Sequence, residues 1–419
     1  MRARHFVVGF GVVAGAACAP RGAVPGPAPA AVRPGIEVLL ADSFRLVRGR
    51  RVGLLTNHTG VDRQGRRDVD LLLAAGVAVT TLFTPEHGFR GTEDRPDLAN
   101  TSDSATGLPI YSVYGATRTP DVSALDSLDV LLIDLQDVGA RYYTYPSTAV
   151  LMMRDAAARG IRVVILDRPN PVGGTAVQGT MPVPPGELPP SGGFMPVPMR
   201  HGMTIGELAR FANVELAIGA DVVVVPAGGW RRGLYYDAVG LPWVRPSPAM
   251  PGLESALHYP GLCLFEGTNL SVGRGTDVPF QVVGAPWLEP TRVLRALGIG
   301  EGGSRNGEGL DGVEVSATTF TPRDPTDAKY GGVEVRGLRL RVTDRSRYDP
   351  TRAAVALLAA IRATHPDSFR FREGRFDRLA GDERLRGALE SGAPPSRIWR
   401  EWDARVAWFK ERRAKYLLY

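Results

Sequence analysis

Cysteine is nearly absent. The 419 residues hold two, Cys18 and Cys263. No Cys-x-x-Cys or His-Glu-x-x-His spacing occurs, and His58 and His87 form no metal pair, so a metal would need scattered ligands. Cys263 stands in the apolar run Gly261-Leu262-Cys263-Leu264-Phe265, the setting of a buried, inert thiol rather than a nucleophile. Lysine is scarcer than the charge implies. The net charge is +6, yet the lysines are Lys329, Lys410 and Lys415 alone, and the arginine excess is spread along the chain. It forms no stripe that would track a phosphate backbone, and no nucleic-acid motif is present. The turn after the first apolar run, Asn57 to Asp62, lacks Gly-x-Gly-x-x-Gly, so a dinucleotide fingerprint is missing. A phosphate-binding Gly-x-x-x-x-Gly-Lys-Ser/Thr loop and a Gly-x-Ser-x-Gly nucleophile elbow are missing too. No cofactor is expected.

What is present begins with Arg2, Arg4 and His5 ahead of an apolar stretch, Phe6 to Ala17. Residues 1–18 have the layout of a secretory signal, too short for a comfortable membrane span. Gly15, Ala16 and Ala17 before Cys18 resemble a bacterial lipoprotein cleavage site without its usual leucine, so lipidation at Cys18 and ordinary cleavage both stay open. Residues 19–34, rich in Pro, Ala and Gly, read as a flexible tether. This start predicts an exported protein, periplasmic or in the cell envelope, touching membrane only through such an anchor. With Cys18 lipidated or removed, Cys263 has no intramolecular partner.

The full chain is 44% hydrophobic and 22% charged, ordinary globular values for a chain long enough for two domains. Residues 35–250 alternate short apolar runs with amphipathic stretches, the mark of an α/β parallel sheet covered by helices. Strands are expected at Val52–Thr56, Val77–Phe83, Val130–Leu135, Ile161–Leu166 and Val222–Val225. Helices are expected at Val69–Ala75, Pro146–Ala158 and Ile205–Val214, the third opened by a Thr204/Glu207 capping box. Residues 251–419 mix strands at Val313–Phe320 and Val333–Val342 with helices at Thr351–Arg362 and from Ser396 onward. Without clean alternation, they form a smaller α+β domain.

Polar residues gather where the expected strands end. Thr84-Pro85-Glu86-His87-Gly88-Phe89-Arg90-Gly91 follows the second strand, at the edge where open α/β sheets bind ligands. A carboxyl beside an imidazole, between glycines that admit a substrate, suits acid/base chemistry. Asn57-His58-Thr59-Gly60, the run Asp134 to Tyr145, and Asp167-Arg168-Pro169-Asn170 follow three other strands. In the run, Asp134 is expected to pair with Arg141 or cap a turn, and Asp137 lies better placed for a ligand. Tyr142, Tyr143 and Tyr145 offer faces for a sugar ring or belong to the core. His201 stands before the Thr204 cap as a ligand contact or helix-entry residue, with the latter favoured. Glu266 lies in a glycine-rich run, Phe265 to Asp277, able to supply a second carboxylate across a cleft or simply to satisfy its own loop. Carboxylates on a Rossmann-like sheet with no cofactor loop point to hydrolysis of an extracellular polymer.

Together the motifs Leu54-Leu55-Thr56-Asn57-His58-Thr59-Gly60, Pro85 to Gly91, Asp134 to Tyr145, Asp167 to Pro171, His201-Gly202-Met203-Thr204 and Glu266 to Ser271 resemble the exo-β-N-acetylmuramidase family of peptidoglycan hydrolases, glycoside hydrolase family 171. The likeness runs from about Gly35 to the C-terminus. It implies a Rossmann-like N-terminal domain, a smaller C-terminal domain, and an active site in the cleft between them. It also implies removal of N-acetylmuramic acid from the non-reducing ends of peptidoglycan fragments, with the catalytic glutamate at Glu86.

Glycoside hydrolysis needs an acid for the leaving oxygen and a second group at the anomeric carbon. Glu86 is the expected acid, with Asp137 or Glu266 as base or nucleophile. Alternatively, the substrate's own 2-acetamido oxygen attacks, steadied by Asp137. Asn57, His87, Arg90, Arg141, Tyr142 and Asn269 are the candidate sugar contacts. Arg90 or Arg141 would hold the lactyl carboxylate of muramic acid. A wall-binding lipoprotein without catalysis and a cell-wall esterase or peptidase are the competing readings.

Overall fold

The expected strands of the first half assemble into one sheet because their apolar runs can be buried on both faces at once. In the computed structural model they are β1 (Arg51–Thr56), β2 (Ala78–Thr84), β5 (Val130–Asp134), β6 (Arg162–Leu166) and β7 (Val222–Val225), joined by two short strands, β3 (Thr101–Ser102) and β4 (Pro109–Ser112). The order across the sheet is β3-β4-β2-β1-β5-β6-β7, parallel throughout except where β3 meets β4. The structure describes residues 32–42, 44–93, 98–114, 122–182, 195–300 and 307–419, with Met1 and His5. The leader, Cys18 and most of the 19–34 tether therefore lie outside the described residues.

Successive side chains of a strand point to opposite faces, and the two faces pack separately. Leu54, Leu132 and Val164 join one cluster with Ile36, Leu39, Val69 and Leu72, from helices α1 (Gly35–Ala41) and α2 (Asp68–Ala74). Leu55, Leu131, Ile133, Val163 and Ile165 join the other. It is covered by α4 (Thr144–Ala157) and α5 (Ile205–Glu215); a short α3 (Val122–Asp126) precedes β5. Continuous burial along the strands is what a doubly covered parallel sheet requires. The capping box at Thr204 and Glu207 is present in both directions.

The second face runs straight into the smaller domain. There β8 (Val282–Ala285), β9 (Val313–Phe320) and β10 (Val335–Val342) form an antiparallel sheet in the order β8-β10-β9. Helices α6 (Leu253–Leu262), α7 (Pro290–Ala296), α8 (Pro350–Thr364), α9 (Glu373–Ala380), α10 (Arg384–Glu390) and α11 (Pro395–Arg413) complete it. Leu338, Leu357, Phe376 and Phe409 belong to the same core cluster as Leu131 and Ile133, so one apolar interior spans both sheets.

This topology fixes where a ligand can sit. From β1 the chain steps to β2 and β4 on one side, then crosses to β5, β6 and β7 on the other. The switch between β1 and β5 leaves a crevice beyond the carboxyl ends of the strands. The loops after β1, β2, β5 and β6 all open there.

Candidate active site

Glu86 follows β2 after Thr84 and Pro85, on a loop held by its own backbone. The amide of Gly88 donates to the Pro85 carbonyl at 3.2 Å and the amide of Glu93 to the His87 carbonyl at 3.2 Å. Nδ1 of His87 lies 2.9 Å from the Glu93 carbonyl. His87 adopts φ 70°, a conformation that costs a non-glycine residue roughly 1 kcal/mol or more and gathers at functional sites. Gly91, at φ 71°, lies under the His58 ring, where a Cβ would come within 1.8 Å. His58 in turn meets the Arg245 carbonyl at 2.6 Å. The loop is thus pinned against the first strand's loop and the proline-rich segment beyond residue 242.

The half-buried Glu86 carboxyl faces a solvent-open cleft of about 1110 Å³. The first domain contributes Glu86, His87, Tyr114, Tyr142, Tyr143 and Thr144 to its lining; the second contributes Tyr259, Glu266, Arg274, Asp327, Arg375 and Arg378. Tyr114 donates its hydroxyl to Oε1 of Glu86 at 2.7 Å. Thr144, the first residue of α4, donates to Oε2 at 2.6 Å. Both partners are hydroxyls, able to donate to a carboxylate or accept from a carboxylic acid. Glu86 can therefore keep its partners in either protonation state.

Glu266 has the opposite surroundings. It lies in a 3-10 turn, Cys263–Gly267, that continues α6. Gly267 allows the backbone of α9 to approach so closely that a Cβ would sit 2.5 Å from Cα of Phe376. That approach brings Arg375 onto Oε2 of Glu266 at 2.9 Å, while Arg274 donates Nε to Oε1 at 2.6 Å. Burial alone would raise the Glu266 carboxyl, but the charges and hydrogen bonds of Arg274 and Arg375 outweigh it and hold the group below its ordinary value. Guanidinium groups only donate, so Glu266 is fixed as the carboxylate. Cys263 also reaches the cleft lining, but burial pushes its thiol up, which leaves no thiolate for attack.

The remaining expected contacts are elsewhere, and each departure has a cause. Asp137 is buried behind the lining: Oδ2 accepts the Gly139 amide at 2.9 Å and lies 3.3 Å from Nε2 of His201. It tightens the turn after β5 instead of facing the cleft. Asn57 turns Oδ1 to the amide and hydroxyl of Thr59. Asn269 bridges backbone, donating to the Ser368 carbonyl and accepting from the Arg370 amide. Arg90 points outward to the Ser104 hydroxyl. Arg141 is fully buried and donates to the carbonyls of Thr180, Val197 and Leu379. Asp134 pairs with Arg168, not with Arg141, and burial raises its carboxyl together with that of neighbouring Asp68. His201 is a helix-entry residue, its Nδ1 accepting the Met203 amide at 3.2 Å.

Tyr114, Thr144, Arg274, Asp327 and Arg375 line the cleft without having been singled out as contacts. Tyr114 lies two residues past β4, a strand too short to show a period, and Arg375 sits on a helix with no capping signal. Arg274 and Thr144 lie inside runs that had drawn attention as runs. Among the described residues, no group of three or more His, Cys, Asp or Glu side chains is placed to hold a metal ion.

Residues 52–254 match the family model described as "Exo-beta-N-acetylmuramidase NamZ, N-terminal", and residues 257–419 match its C-terminal counterpart. The peptidoglycan β-N-acetylmuramidase NamZ of Bacillus subtilis (strain 168) is 39% identical over 391 residues, covering 93% of this chain and 91% of that protein. Two crystal structures of DUF1343 family proteins from Bacteroides fragilis NCTC 9343 share the fold, with TM-scores of 0.82 and 0.73 at 31% and 32% identity. Each covers 93% of this chain and 99% of its own.

Proposed function

This chain belongs to the NamZ family of exo-β-N-acetylmuramidases and is a peptidoglycan glycosidase, and from that premise we propose that it releases N-acetylmuramic acid singly from non-reducing ends, with Glu86 as the proton donor. The observation that carries the assignment of Glu86 is the contrast between the two cleft glutamates. Glu86 is held by two hydroxyls that serve either protonation state, whereas Glu266 is held by two guanidinium groups that serve only the anion. An acid that gives up a proton and takes it back needs the first kind of partner.

In this reading Glu86 protonates the glycosidic oxygen as the bond from the anomeric carbon breaks. Glu86, then a carboxylate, accepts a proton from the water that completes hydrolysis and is restored. Tyr142 and Tyr259 border the cleft but are nearly buried and pack edge to face against each other, so they shape the cleft and offer no free ring face. The exo mode rests on the family's own description. The proposed place of action is outside the cytoplasm, which the signal-like residues 1–18 support and a peptidoglycan substrate requires.

The test is hydrolysis of a chromogenic β-N-acetylmuramide. Wild-type protein should liberate the chromophore, and Glu86→Gln should fall by about 10²–10⁴-fold with an unchanged melting temperature. Glycan strands should yield the monosaccharide and no internal fragments. A folded Glu86→Gln protein that still cleaves at near wild-type rate removes the assignment. A protein that binds the glycan without releasing chromophore favours the non-catalytic reading.

A further inference from the structure

The Glu266 cluster in the cleft lining carries more positive charge than its own pairing needs. Glu266 is a single carboxylate, 6% exposed at the side chain, and it receives both Arg274 and Arg375. The other carboxylate that the second domain contributes there, Asp327, is already opposed by Lys329 at 3.7 Å. Lys329 itself donates to the carbonyls of Phe265, Glu266 and Leu270, tying its loop to the turn that bears Glu266. Glu86 lines the same cleft. The cluster of Arg274, Glu266 and Arg375 thus holds a surplus positive charge at the edge of a cleft.

The two arginines are also oriented. Arg274 gives Glu266 its Nε and lies 5.3 Å over the Phe280 ring, which fixes the plane of its guanidinium. Arg375 gives one Nη to Glu266 and keeps 43% of its side chain exposed. A guanidinium anchored by one nitrogen still presents further N–H donors in a rigid fork, the geometry that suits a second carboxylate. Glu266 can do this orienting because it is neither free nor protonated.

We infer that Arg375, positioned with Arg274 by Glu266, is the subsite for the substrate's carboxylate. This rests on the glycosidase reading above and deepens it. Muramic acid differs from glucosamine by a lactyl ether whose carboxylate is the one anionic group on the sugar. A cleft with an oriented, surplus guanidinium selects that group; a neutral hexosamine gains nothing from it. Glu266 is then a positioning residue and not a nucleophile, and Arg90 and Arg141 have no part in carboxylate recognition.

The experiment pairs a change in the enzyme with the matching change in the substrate. Chromogenic β-N-acetylmuramide is offered to the full chain as the free lactyl acid and as its methyl ester, with wild type and Arg375→Met. For wild type, esterification should lower kcat/KM about 10–100-fold, mostly through KM, as expected for a lost charge-assisted hydrogen bond. In Arg375→Met the acid should fall by a similar factor, and esterification should then change little, within about 3-fold. Arg375→Lys, which keeps the charge without the fork, should discriminate to an intermediate degree and covers a folding failure of the methionine variant. Equal rates on acid and ester with wild type overturn the subsite, as does full discrimination surviving in both variants. Cleavage of neither substrate by wild type overturns the glycosidase reading, and the subsite falls with it.

Discussion

Arg141 donates from Nη2 to the carbonyl of Leu379 at 2.5 Å, across 238 positions of sequence. Leu379 belongs to the last turn of α9, where carbonyls lack helical partners and favour a nearby cation. The same guanidinium reaches Thr180 and Val197 from the first domain. The residue expected to grip a sugar therefore holds α9, and with it Arg375, in place against the first domain.

Arg141→Met should accordingly act on stability first. Three carbonyls lose a buried donor, while the cost of burying an unpaired guanidinium is relieved. A net loss of about 2–4 kcal/mol is expected from denaturant unfolding. At low temperature, where the variant is folded, kcat should change far less than for Glu86→Gln. A stable Arg141→Met protein with no activity would restore Arg141 to the substrate.

Asp137→Asn separates placement from chemistry in the same way. The Asp137 carboxylate faces the Gly139 amide and His201 in the interior. The variant should lose about 1–3 kcal/mol of stability through that contact. Its kcat/KM on the chromogenic muramide should remain within about threefold of wild type. A fall of several orders of magnitude with an unchanged melting temperature would mean that Asp137 reaches the substrate.

β1, β5 and β6 were legible because each is buried along nearly its whole length and announces itself as an apolar run. Val222–Val225 and Val313–Phe320 have the expected bounds, β1, β5 and β6 differ by a residue at one end, and β2 is shifted by a residue at both ends. Glu86 was legible because a strand end has only one edge to face. The direction of a loop side chain has no such signal. Asp137 and Glu86 each stand just beyond a strand, yet one turns inward to His201 and the other outward to Tyr114. Arg141 and Arg375 are alike as letters. Only the close packing of Gly267 on Phe376, a contact between distant segments, sends Arg375 to the cleft.

Asp167 gives the fold a pH dependence of known sign. Burial raises its carboxyl to about 6, against hydrogen bonds from Thr204, Tyr419 and the Gly206 amide. Because the folded value exceeds the unfolded one, folding favours the protonated form. That contribution is complete below about pH 4 and is lost as pH rises through 6. An Asp167→Asn variant has no such loss. The difference in unfolding free energy, variant minus wild type, should therefore grow by about 2–3 kcal/mol between pH 4 and 7. A difference that stays flat across that range contradicts the buried, raised carboxyl.

The surroundings of the other candidate carboxylates bear on the source of the attacking atom. Glu266 is locked between two arginines, Asp327 has Lys329 at 3.7 Å from an oxygen that lacks a hydrogen bond among the described residues, and Asp137 accepts the Gly139 amide away from the lining. Glu266 is thereby committed to its ion pairs and Asp137 stands apart from the lining, whereas the N-acetyl group of the sugar brings its own carbonyl oxygen within reach of the anomeric carbon. We predict substrate-assisted hydrolysis, in which that oxygen attacks as Glu86 protonates the leaving group, and water then opens the resulting ring. Replacing the N-acetyl group by mono-, di- and trifluoroacetyl groups makes the oxygen progressively less basic, so kcat should fall steeply along the series. A cyclic thiazoline mimic of the intermediate should inhibit competitively, and more tightly than the product sugar. A flat kcat across the series, or a sugar trapped as an ester on Glu266 or Asp327, would mean that an enzyme carboxylate attacks instead.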